Sequence, residues 1–387
     1  MTKKIAIIGR GTAGAISASH FSTYMDDCEI EWHYDPSIPV QSVGEGSTPQ
    51  LVSHLYNTLN FNYLDRDEID CTSKVGIYKS GWGKGDDFMH QFFPPMIGFH
   101  FNAISLQNFI HERVKDRVKI VEQNIGVGSQ LDADYVVDCS GKPSVLEDFH
   151  ESKYMAVNSA YVTQCYWDKP TFDYTLTIAR PWGWVFGVPL QNRCSIGYLY
   201  NKDITDLEVI KDDVQEVFET YGLTPSDKTN SLSFKNYFRK QNFFDRVFYN
   251  GNTSFFLEPM EATSIATMDF VNIRGMEVFN NTLAVEDANE QYQRWLSRIE
   301  TIICLHYFAG SKYNTEFWKY AKDRANECIS NTVKTDPRFK DIVEYSINAN
   351  SRNRCDPAVD WGYWESSSFC ENIYGMGIKN ELLEFIS

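Results

Sequence analysis

The sequence predicts an α/β chain: a doubly wound parallel sheet, interrupted by a mostly antiparallel sheet and closed by a helical C-terminal cap. Three observations carry that prediction. A short apolar run enters a glycine turn at the beginning, strand-like text fills residues 156 to 200, and helical periodicity takes over from about residue 285.

Ile5, Ala6, Ile7 and Ile8 form a continuous apolar run, the pattern of a strand covered on both faces, and Gly9-Arg10-Gly11-Thr12-Ala13-Gly14 follows at once. The spacing is G-x-G-x-x-G. Gly9 permits the tight turn, Gly11 lets a pyrophosphate approach the backbone, and Gly14 lets the next helix pack close to the strand. Ala13, Ile16, Ser17, His20, Phe21 and Tyr24 then recur at helical spacing, and residues 29 to 34 read as a second strand ending at Asp35. Asp35 stands where an acid accepts hydrogen bonds from an adenosine ribose, so the opening predicts a Rossmann-like dinucleotide site.

Beyond it, a loop carries Gly44, Glu45 and Gly46, and a helix is expected from about Thr48. Residues 69 to 82 read as a strand with Lys74 near its start, and the segment from Ser105 reads as an amphipathic helix with a polar N-cap. Residues 133 to 141 read as a strand ending in Asp138, Ser140 and Gly141. Alternating Tyr, Val, Thr and Ile then mark strands from 156 to 200, and an acidic helix is expected near 206 to 221. Residues 248 to 270 read as a strand or hairpin, a polar loop around Pro259 and a helix start. From about 285, Tyr292, Trp295, Leu296, Ile299, Ile302, Ile303 and His306 share one helical face. The expected domains are a cofactor domain over 1–290, with an inserted substrate-side sheet at about 156–240, and a helical cap over 291–387 covering the substrate site.

At 387 residues the chain can bury a large core in one or two domains. The net charge of −16 offers no uniform basic surface, so nucleic acid is not an expected partner and small molecules are. Nine dispersed cysteines without a C-x-x-C pair suggest neither a disulfide framework nor a zinc site, and the eight histidines show no ligand spacing, so no metal is expected. No apolar run reaches the length of a membrane span, and the first strand begins at residue 4. A cytoplasmic location is the expectation.

Seven blocks together resemble one family. GRGTAG, VGEGSTP (43–49), SKVGIYKSGW (73–82), VVDCSG (136–141), WVFGVP (184–189), LEPMEATSI (257–265) and LHYFAGSKYNTEFWKY (305–320) are similar, in order, to the flavin-dependent halogenases of the tryptophan-halogenase type. The resemblance implies an FAD-binding domain of the glutathione-reductase type. It also implies an enzyme in which reduced FAD, dioxygen and a chloride, bromide or iodide ion give hypohalous acid, which an internal channel carries to a lysine. That lysine is matched by Lys74, which hydrogen-bonds the oxidant or forms a haloamine and delivers halogen to an electron-rich aromatic ring. Glu261 matches the assisting carboxylate, whereas the neighbouring Lys79 is expected to be structural or at the surface.

Cofactor contacts are implied for Gly9, Gly11, Thr12, Ala13, Gly14, Asp35, Glu45, Gly141, Trp184, Phe186 and Pro259, and halide contacts for Thr263 and Ser264. Trp361, Trp364 and Tyr374 are candidates for an aromatic substrate platform, with core packing as the equal alternative, and His100 is a further candidate substrate contact. The family's Ser-Thr-Gly becomes Ala262-Thr263-Ser264 here, and its W-x-W-x-I-P becomes Trp184-Val185-Phe186-Gly187-Val188-Pro189. A separate flavin reductase is the implied source of electrons, since only one dinucleotide fingerprint occurs. The chain is shorter than the tryptophan enzymes, so a free-standing indole or phenol is expected as substrate, and homo-oligomer formation is left open. The same fold also serves aromatic monooxygenases and non-catalytic flavin carriers.

Overall fold

A computed structural model describes residues 2–40, 44–93, 96–125, 131–349 and 355–386, without the side chains of Gly44 and Glu45. Val43, in the 43–49 block, lies outside the described residues. The chain divides into two compact units, one formed by residues 1–72, 98–151 and 237–294, the other by 73–97, 152–236 and 295–387.

The first unit is built on a five-stranded, wholly parallel sheet. Its order is Val247–Tyr249, Tyr135–Asp138, Lys4–Ile8, Glu29–Tyr34 and Lys119–Glu122. Lys4–Ile8 lies at the centre, which is why Ile5, Ala6 and Ile7 are completely buried. The helix Thr12–Tyr24 follows, buried along most of its length from Thr12 to Phe21. The helices Pro49–Leu59, Ala103–Val114 and Thr263–Phe279 belong to the same unit.

Buried polar groups fasten the first helix to the last. The Ser17 hydroxyl donates to Asn272 Oδ1 at 2.8 Å, and Asn250 Nδ2 donates to the same oxygen at 2.9 Å. Ala103–Val114 starts two residues before the expected Ser105, because the Asn102 side chain accepts from the Ile104 and Ser105 amides and so acts as the cap.

The second unit holds a seven-stranded sheet in the order Thr224–Ser233, Ser159–Tyr166, Arg193–Tyr200, Gly183–Pro189, Thr175–Arg180, Gly76–Ser80 and Phe88–Gln91. Every pair is antiparallel except Thr175–Arg180 with Gly76–Ser80. Leu207–Thr220 lies against this sheet. Its Ile210, Val214, Val217 and Phe218 share a core with Leu176, Val185, Ile196 and Tyr198. Arg180 grips Asp213 through two hydrogen bonds of 2.8 and 2.9 Å, and the Tyr198 hydroxyl donates to the same carboxylate.

The expected single strand over 69–82 is two strands, Thr72–Lys74 and Gly76–Ser80. Between them the Val75 amide turns aside to donate to Asp173 O. Helices Glu316–Thr335, Arg338–Asn348, Ser366–Gly375 and Lys379–Ile386 complete the C-terminal region, and the long helix Val285–Ala309 runs through residue 294, where the first unit ends. No described helix is long and apolar enough to cross a membrane.

Candidate active site

The glycine turn fits a dinucleotide. Gly9 has φ +101°, and a Cβ there would lie 2.4 Å from Cys139 O. A Cβ on Gly14 would lie 1.9 Å from Gly9 O, so helix and strand touch backbone to backbone. The position of a Cβ on Gly11 is empty to 4 Å, which leaves the face above the turn open to a ligand. Gly11 is also the N-cap of Thr12–Tyr24 and supplies no side-chain cap, so the first helical amides stay available to a phosphate. Trp32 Nε1 donates to Gly9 O at 2.8 Å and the Gly9 amide to His33 O at 2.8 Å, fixing the turn on the second strand. Ala13 lies beside Gly251, and the Thr12 hydroxyl accepts from Gln107 Nε2 at 3.1 Å.

Asp35 follows the end of Glu29–Tyr34. It is held below the usual carboxylate range by the Ser37 hydroxyl and amide and by Asn124 Nδ2, at 2.6, 2.8 and 2.8 Å. Gly141, at φ +107° with nothing within 4 Å of a Cβ, lies past the end of Tyr135–Asp138 in the same unit. The backbone of Glu45 pairs with Phe101 and that of Gly46 with His100; the side chain of Glu45 lies outside what is described. His100 is completely buried, its Nδ1 3.3 Å from the Thr72 hydroxyl.

The segment entering Thr263–Phe279 has an unusual backbone. Glu261 (φ 67°, ψ 8°) and Ala262 (φ 56°, ψ 39°) are both left-handed, and neither is glycine. Such a pair costs on the order of 1–2 kcal/mol per residue, a cost that concentrates at functional sites. Glu258 is fully buried and Glu261 nearly so, whereas Pro259 is exposed. Ala262 is left-handed and Thr263 right-handed (φ −70°, ψ −20°), a succession that turns consecutive N–H groups toward one point. The helix has no side-chain cap, so that point also faces its positive end. Ser264 lies within the helix, where the family's glycine is not required for its φ. The left-handed positions fall two and three residues earlier.

The second unit carries the remaining side chains. Lys74 is completely buried, with Nζ 5.4 Å from the Phe92 ring centre. Lys79 is also completely buried, which corrects the surface alternative. Its Nζ lies 2.6 Å from His306 Nε2 and bonds Asn372 Oδ1, with the Trp364 and Phe88 rings under 6 Å away. Trp184 and Phe186 point to one face of Gly183–Pro189, their ring centres 6.4 Å apart. The Trp184 indole donates to the Tyr307 hydroxyl at 3.1 Å and neighbours Trp82. Trp361 and Trp364 are buried. Trp361 Nε1 donates to Asp336 Oδ2 at 3.0 Å, and its ring packs on Phe339 and Phe369. Trp364 packs edge-on against His90, His306 and Phe369. Lys74 and Glu261 belong to different units.

A parallel sheet with a phosphate-ready glycine turn at the start of its first helix is the frame of a dinucleotide-binding protein. The model of the tryptophan halogenase family matches residues 4–115 and 107–381, and the chain belongs to that family of flavin-dependent enzymes, which halogenate aromatic substrates. It is 23% identical over 420 residues to tryptophan 7-halogenase RebH of Lentzea aerocolonigenes, covering 83% of this chain and 79% of that one. Among solved structures, the lathipeptide tryptophan 5-halogenase MibH superposes with a TM-score of 0.81 at 16% identity, over 97% of this chain and 86% of that one. Xcc4156, a flavin-dependent halogenase from Xanthomonas campestris, gives 0.80 at 18% identity, over 100% and 94%. At these identities the superpositions speak for the fold alone.

Proposed function

We propose that this enzyme halogenates a small electron-rich aromatic such as a free indole or phenol, with Lys74 delivering the halogen and Glu261 taking the ring proton. The observation that carries the reading is the complete burial of Lys74 inside the SKVGIYKSGW block, since an amine shielded from water keeps a reactive oxidant from bulk solvent. FAD, bound in reduced form after delivery by a separate reductase, would supply with dioxygen and halide the hypohalous acid on which these residues act. Gly9, Gly11, Thr12, Ala13, Gly14, Asp35, Glu45, Gly141 and Pro259 would hold the cofactor. Trp184 and Phe186 would keep the substrate from it.

The Lys74 ammonium hydrogen-bonds the oxygen of hypohalous acid and polarises its bond to halogen. As the aromatic carbon takes the halogen, the bonding pair goes to oxygen, which Lys74 protonates to water. The buried Glu261 carboxylate stabilises the ring cation and accepts its proton. Amides of Thr263 and Ser264 at the helix start suit a halide ion. His100, Trp361 and Trp364 are the candidate substrate contacts.

The test is incubation with FAD, a flavin reductase, NADH and an indole, each halide in turn, read by product mass. A halogen isotope pattern or iodine increment supports the reading, and a halide-independent oxygen increment would replace it with monooxygenation. Lys74→Ala should abolish halogenation while flavin oxidation continues; halogenated product surviving that change would remove Lys74 from the mechanism.

A further inference from the structure

Three helices of the first unit bring together a cluster that the halogenation chemistry does not use. His20 comes from Thr12–Tyr24, His54 from Pro49–Leu59 and Asp269 from Thr263–Phe279. One ligand atom from each lies within 4.8 Å of the other two. The two imidazoles are stacked, centres 6.1 Å apart and planes within 5°.

His54 stands between two polar neighbours. Its Nε2 is 2.8 Å from the Ser19 hydroxyl, which also reaches Ile16 O at 2.9 Å, and its Nδ1 is 3.2 Å from Asp269 Oδ1. With hydrogen on Nε2, the Nδ1 lone pair faces the carboxylate and a cation can bridge the two; with hydrogen on Nδ1, the ring donates to Asp269.

His20 supplies an independent sign. It is 3% exposed, and among the described residues neither of its ring nitrogens has a hydrogen-bond partner. Leaving such a buried polar ring unsatisfied is costly.

We infer that His20, His54 and Asp269 form a binding site for a divalent transition metal of the zinc class. Two neutral imidazoles and one carboxylate, with a fourth position left to water, is a donor set zinc accepts, and Ser19 is the outer partner that orients His54. Ligand bonds of about 2.0–2.1 Å place tetrahedral donors about 3.3 Å apart, which side-chain rotations within the 4.8 Å cluster can reach. The metal would join the helix after the glycine turn to the helix after Glu261 and Ala262. Asp269 is only partly buried, which gives the ion a way in.

The test uses the full chain, stripped with a chelator and titrated with Co²⁺, followed by Zn²⁺ displacement. One equivalent should produce tetrahedral visible absorption that Zn²⁺ abolishes, and Zn²⁺ should raise the melting temperature of the wild-type chain. Asp269→Asn, nearly isosteric, should weaken binding at least about tenfold and remove the melting shift, and His20→Ala should do the same if circular dichroism shows it folded. A wild-type chain that gains neither absorption nor stability would mean that a proton fills the gap and would overturn the inference. Asp269→Asn binding as tightly as wild type would overturn it equally. None of these readouts depends on halogenation.

Discussion

The Phe186 ring lies across Gly197, its register partner on the neighbouring strand: a Cβ at 197 would come within 2.2 Å of Phe186 Cζ. The glycine is what leaves room for the phenyl ring, which is tilted 59° to the Trp184 ring. Gly197→Ala should therefore displace Phe186 and lower stability by about 1–3 kcal/mol, read by denaturant unfolding. An unchanged midpoint would show that the ring moves aside freely.

The backbone contact between Gly9 and Gly14 makes a similar forecast for the cofactor. With only 1.9 Å between a Cβ at 14 and Gly9 O, Gly14→Ala must push the helix from the strand. FAD affinity, followed by quenching of flavin fluorescence, should fall at least about tenfold, the factor that about 1.4 kcal/mol represents. Retained affinity would argue against this turn as the cofactor cradle.

Glu261 and Ala262 separate strain from chemistry. Ala262→Gly relieves a left-handed alanine worth about 1–2 kcal/mol and adds about 0.5–1 kcal/mol of chain entropy to be lost on folding. A modest rise in melting temperature with unchanged halide dependence is expected. Glu261→Gln keeps the shape but cannot take a proton, and should reduce halogenation by about 10²–10⁴ with folding intact. Full activity in Glu261→Gln would remove the carboxylate from the reaction.

Glu300 on the long helix gives a pH signature. Burial pushes its carboxyl up to about 7, countered only in part by the Ser152 hydroxyl. From an ordinary value near 4.5, the folded state keeps a proton that the unfolded chain releases as pH rises toward 7. Stability is therefore lost across that window, by about 3 kcal/mol at roughly 1.4 kcal/mol per unit. Glu300→Gln should match wild type near the bottom of the window and exceed it by up to that amount above pH 7, as measured by unfolding at several pH values. An equal gain at both ends would rule out titration as the cause.

Much of the first unit was legible because a strand covered on both faces spells itself as Ile5-Ala6-Ile7, and the G-x-G-x-x-G turn stands directly between that strand and a helical pattern. Thr224–Ser233 was not legible: as a sheet edge it is polar and contains Pro225, so it lacks the apolar alternation that marks strands. Alanine carries no signal for left-handed backbone, which hid the geometry at Ala262. Lys79 reads as an ordinary surface lysine until His306 and Asn372, more than 200 residues away, enclose it. His20, His54 and Asp269 escaped notice because metal motifs are recognised by local spacing, and these three meet only through the packing of separate helices.

The chain changes unit after residues 72, 97, 151, 236 and 294. Consequently no single crossover with a relative can exchange one unit intact. Chimeras made by swapping contiguous gene halves should mostly misfold, whereas productive recombination needs segments traded as matched sets.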